Sequence, residues 1–111
     1  MKSIAHEISG RIERGEIDDF ASCRHCHMEI CEPSLLDVCK DLQSQGTNTV
    51  LVHPLFISPF GKHVTKDIPR IVDDVSRSLP QMDVRLTKVF GEDDQLLVEG
   101  ALKVARDAKI D

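Results

Sequence analysis

Residues 47–58 read TNTVLVHPLFIS. The run is β-branched and apolar with little alternation. That is the pattern of a strand covered on both faces, as strands of parallel sheets are. It stops at Ser58-Pro59, and a short loop carrying Gly61 and His63 leads into DIPRIVDDVSRSL, residues 67–79. There Ile68, Ile71, Val72, Val75 and Leu79 recur at helical spacing. Asp67 is expected to cap this helix, because Pro69 then falls in the first turn, where a missing N–H costs least.

The flanks repeat the alternation of helix and strand. Ile4, Ile8 and Ile12 stand four apart, and Gly15 follows as a stop. FASCRHCHMEI, residues 20–30, reads as a polar strand. Leu35, Val38, Cys39 and Leu42 share one helical face, ended by Gly46. MDVRLTKVF, residues 82–90, alternates as a half-exposed strand would, and residues 91–111 close with a helix whose acids come first and bases last. The order is α-β-α-β-α-β-α. Strands separated by helices imply parallel pairing, so the expected fold is a single α/β domain over residues 1–111. It is a three-layer sandwich, a small parallel sheet with helices on both faces, comparable to half of a flavodoxin-like domain. The 49–57 strand is expected in the middle.

Composition narrows the function classes. The chain has 111 residues, enough for one core, with 41% hydrophobic and 30% charged residues. No apolar stretch approaches the roughly 20 residues of a membrane-spanning helix. The start has neither a signal-peptide core nor the acid-poor character of a transit peptide. A net charge of −5 and the absence of Trp and Tyr argue against a nucleic-acid partner. No membrane partner is expected either, and the expected compartment is the cytoplasm, or the plastid stroma in a photosynthetic eukaryote.

In open parallel sheets, ligands bind beyond the carboxyl ends of the strands. The 58–67 loop lies at that edge of the middle strand and carries His63. The 20–30 strand delivers Glu29 to the same edge. Both positions can face one cleft. Lys62, Lys66 and Arg70 surround His63 and form a local basic cluster able to meet anions.

The segment HMEICEPSLLDVCKDLQSQGTNTVLVHPLFISPFGKHVTKDIP, residues 27–69, resembles the central stretch of the small class II chelatases, the sirohydrochlorin chelatase family of siroheme and cobalamin synthesis. The likeness is carried by Met28-Glu29-Ile30-Cys31-Glu32-Pro33-Ser34, Pro54-Leu55-Phe56, Gly61-Lys62-His63 and Asp67-Ile68-Pro69. It implies insertion of a divalent metal, cobalt or ferrous iron, into a sirohydrochlorin-type tetrapyrrole with no organic cofactor. It makes His63 and Glu29 the catalytic and metal-site residues, and Lys62, Lys66 and Arg70 the partners of the substrate's carboxylates. It also implies a cleft completed across a homodimer. The family's opening strand, with its His-Gly-Ser-Arg-like loop, has no match here, so the sequence is expected to start one strand late, and Phe60 reads as an extra loop residue. The alternative is a catalytically impaired relative that binds metal or tetrapyrrole without inserting metal.

Without the resemblance, His63 reads equally well as a solvated loop histidine, Glu29 as a surface carboxylate and the three cations as a solvated face. Cys23-x-x-Cys26, with His25, His27 and Cys31, falls short of the two pairs of a zinc knuckle. On a strand, Cys23 and Cys26 would point oppositely. Reduced thiols are expected throughout. His53 is expected mid-strand in the core, and His6 solvated on the first helix.

Overall fold

The computed structural model describes residues 2–26 and 33–108, with residues 2–3 and His63 described by backbone alone. Among the described residues there are four α-helices: α1 (Lys2–Glu13), α2 (Leu35–Ser44), α3 (Ile68–Ser78) and α4 (Asp94–Asp107). Two strands, β1 (Thr49–Val52) and β2 (Asp83–Leu86), pair in parallel with Thr49 opposite Asp83 and Val52 opposite Leu86. The α/β class and the parallel pairing expected from the sequence are what the chain forms.

Local chemistry explains the boundaries. Ser34 opens α2 with a reciprocal cap: its hydroxyl accepts from the Asp37 N–H at 3.1 Å, and the Asp37 carboxylate accepts from the Ser34 N–H. The same helix ends on Gly46, whose φ of +91° is open to glycine without a Cβ penalty. Thr47 N–H then reaches back to the Leu42 carbonyl and Gly46 N–H to Gln43, closing the last turn. Asp93 caps α4 by accepting from the Leu96 N–H at 3.1 Å.

The core is built on one side of the sheet. Leu35, Val38, Cys39 and Leu42 of α2 and Ile68, Val72 and Val75 of α3 pack with Leu79 and Met82, and Val50, Val52 and Val84 of the sheet lie against them. α1 and α4 place no side chain in this cluster, and α4 buries no residue. The radius of gyration is 16.0 Å, against about 13 Å for a compact domain of this length.

Three expectations are corrected. Residues 20–26 form no strand, and residues 27–30 of the expected strand lie outside the described residues. Arg24 in this segment donates to the Asp41 carboxylate of α2 at 2.7 Å, which ties the polar chain to a helix rather than to a ladder. The middle strand is shorter than 49–57 and is covered on one face only, with Leu51 48% exposed. Pro54 has no N–H to give a ladder, so regular pairing ends at Val52. Asp67 is helical (φ −70°, ψ −44°) and makes no capping hydrogen bond to α3. A wide π-type turn over His63–Asp67 runs directly into α3 instead. A proline ring clashes with the carbonyl four residues back in a regular helix, and a widened turn just before Pro69 relieves that crowding.

Candidate active site

Beyond Val52 the chain leaves the ladder but stays beside the segment that follows β2. Thr87 N–H donates to the Val52 carbonyl at 2.9 Å, Phe90 N–H to Pro54 at 3.1 Å and Gly91 N–H to Phe56 at 2.8 Å. Gly91 is buried at this crossing, and a Cβ there would run into the Ile57 carbonyl. These bonds hold residues 53–56 as a wall.

That wall bounds a hollow of about 280 Å³. Its remaining sides come from Leu35 of α2, Ile68, Ile71 and Val72 of α3, and Cys26. The lining is predominantly apolar, with His53 as its one imidazole among the described residues. An apolar hollow at the carboxyl end of a parallel strand is where ligands of this architecture bind.

The turn that carries His63 stands beside this hollow in the chain. The Gly61 carbonyl accepts from Val64 N–H at 3.1 Å, Thr65 N–H at 3.0 Å and the Thr65 hydroxyl at 3.1 Å, so the turn is pinned at its start. His63 therefore sits in the first turn of a helical segment rather than on an extended loop. Its side chain and all of Glu29 lie outside the described residues, so the expected pairing of the two is left to experiment. Lys62, Lys66 and Arg70 are exposed and recur every four positions. None of the three makes an ion pair among the described residues, whereas Arg11, Arg14, Arg24, Arg77, Arg85, Lys88 and Lys103 all do.

Burial pushes the Cys26 and Cys23 thiols up, and the Cys39 thiol is raised by burial first and by nearby Cys26 second. Among the described residues Cys23, Cys26 and Cys39 form no disulfide; His27 and Cys31 lie outside the described residues. Among the described residues no three His, Cys, Asp or Glu side chains converge as a metal cluster.

Sequence reasoning misplaced His53. It is exposed at the lip of the hollow, not packed mid-strand. Its Nδ1 lies 2.8 Å from the Thr87 hydroxyl, and its ring meets Phe90 edge-on at 6.1 Å and 72°. The signal was available. Proline directly after a histidine marks a strand end, and a 34-residue register between the strands sets position 53 beside 87.

Comparison with known proteins agrees with this architecture. A family model described as CbiX matches residues 3–102. A chloroplastic sirohydrochlorin ferrochelatase of Arabidopsis thaliana is 34% identical over 71 residues, covering 64% of this chain and 31% of the relative. A sirohydrochlorin cobaltochelatase of Methanopyrus kandleri is 28% identical over 71 residues, covering 64% of this chain and 48% of the relative. The chain thus spans a third to a half of the length of these curated relatives. Among solved structures, SirB from Bacillus subtilis with Fe3+ superposes with a TM-score of 0.70 at 20% identity, over all of this chain and 44% of that one. A CbiX protein from Marinobacter aquaeolei VT8 superposes with a TM-score of 0.67 at 23% identity, over 91% of this chain and 80% of that one. The two superpositions speak for the fold, and the match over residues 3–102 places the chain in the CbiX family of class II chelatases.

Proposed function

We propose that the protein inserts a divalent metal, Co2+ or Fe2+, into a sirohydrochlorin-type tetrapyrrole. The observation that carries this reading is the position of the hollow. In a member of this family, an apolar recess opens at the carboxyl end of β1, and residues 62–70 after it carry three cations that make no ion pair among the described residues. The macrocycle face meets Leu55, Phe56 and Ile71, while Lys62, Lys66 and Arg70 take its peripheral carboxylates by charge-assisted hydrogen bonds. His63 and Glu29 present the metal. Two pyrrole N–H protons must leave as the ion enters, and a neutral imidazole can accept one. No organic cofactor takes part, and a second copy of the chain completes the cleft. The chloroplastic relative makes the plastid a compartment to examine alongside the cytoplasm. No helix among the described residues is long and apolar enough to cross a membrane.

The test is anaerobic incubation of the protein with sirohydrochlorin and Co2+ or Fe2+, followed by absorption beside a His63→Ala variant. Insertion faster than in buffer, and lost in the variant, is expected. Traces identical to buffer, with the tetrapyrrole still bound, would instead favour a relative that binds without inserting.

A further inference from the structure

We infer that His53 is a further catalytic residue of this site, its Nε2 accepting a proton from a pyrrole N–H of the bound macrocycle. The inference rests on the chelatase reading. Its own support is the hydrogen-bond arrangement around the ring. The Thr87 hydroxyl lies 3.0 Å from the Lys88 carbonyl and donates to it. A hydroxyl has one proton. Were that proton given to His53 instead, two oxygen lone pairs would face each other across 3.0 Å. The arrangement is satisfied when Nδ1 carries the hydrogen and donates to Thr87 Oγ1 across 2.8 Å. In the neutral ring Nε2 is then the nitrogen that carries the lone pair.

The ring is also held in orientation. Phe90 meets it edge-on, and the backbone pairing of Thr87 with Val52 and of Phe90 with Pro54 fixes both contacts from either side of position 53. His53 thus belongs to the hollow's wall, yet is exposed enough to pass a proton to water. In the step, the pyrrole N–H bond breaks and an Nε2–H bond forms. The electron pair stays on the pyrrole nitrogen and becomes the donor pair to the incoming ion. The imidazolium keeps its Nδ1–H bond to Thr87 and releases the new proton to solvent.

The experiment uses the full chain in two readouts. Histidine 15N–1H correlation spectra, assigned with His53→Asn, should show His53 as the Nδ1–H tautomer, and Thr87→Val should remove that bias while Thr87→Ser keeps it. An Nε2–H tautomer in the wild type would overturn the inference without touching the chelatase reading. In the Co2+ insertion assay, His53→Asn keeps an N–H toward Thr87 but has no base. Its kcat should fall by about 100-fold or more, with KM for sirohydrochlorin within about twofold of wild type. Thr87→Val should lose about 10-fold, restored by Thr87→Ser. Thermal melts of each variant separate loss of fold from loss of base. A wild type that inserts metal with His53→Asn unchanged overturns the inference alone. A wild type that inserts none overturns both.

Discussion

α2 and α4 are both amphipathic, both capped at their start by a side chain that accepts from the backbone, and yet they end differently. α2 buries Leu35, Val38, Cys39 and Leu42, with Cys39 fully enclosed. α4 buries nothing, and its Leu102 and Val104 are 46% and 69% exposed. Sequence pattern decides whether a segment is helical and which stripe is apolar. Only a facing surface decides whether the stripe is used, and α2 has one in α3 and the inner face of β1. The protein is thereby divided into a half with the buried cluster, which holds the hollow, and an outer half whose apolar residues are exposed.

The comparison can be broken most severely at Gly91. A Gly91→Ala methyl meets the Ile57 carbonyl, which is backbone and cannot swing away. The 53–56 wall must then separate from the segment after β2, at a cost of about 3 kcal/mol or more, read as a lowered midpoint in urea unfolding. A shift no larger than that of an ordinary surface substitution would show that the crossing is not part of the stable half.

Paired truncations sharpen the contrast. Leu42→Ala empties a site in the core and should cost about 3 kcal/mol. Leu102→Ala on α4 removes a similar side chain from solvent and should cost about 0.5 kcal/mol or less. Equal losses in denaturant unfolding would mean that α4 is packed in solution. The smallest contrast lies in the caps. Ser34→Ala should lower global stability by about 1 kcal/mol, since α2 cannot fray without opening the core. Asp93→Ala should leave the global midpoint in place and reduce helical ellipticity alone, because α4 unravels by itself.

Much of this was legible in the chain. Gly46 as a stop and the apolar stripes of α2 and α3 follow from local chemistry and periodicity, and helix-separated strands called for parallel pairing. What escaped reading was tertiary. The apolar run 49–57 continues past the point where Pro54 ends the ladder, because Leu55 and Phe56 line the hollow rather than a strand face. That is also why His53 read as a core residue. Asp67 has the composition of a cap, but the wide turn before Pro69 places it inside the helical segment. The polar segment 20–30 reads as a strand, yet residues 20–26 form none, and Arg24 within them pairs with Asp41 of α2. In the candidate site, the basic cluster of Lys62, Lys66 and Arg70 was visible from spacing. The Thr87 partner of His53, 34 residues away, required the strand register.

Under the proposed function the tetrapyrrole lies against residues 53–56 and residues 61–70, in the half with the buried cluster. Amide hydrogen exchange with and without sirohydrochlorin, metal withheld, tests this most directly. Slowed exchange at residues 55–57 and 61–70 is expected, with α4 unchanged. Protection confined to α1 or α4, with the 53–70 segment exchanging as in the free protein, would contradict it.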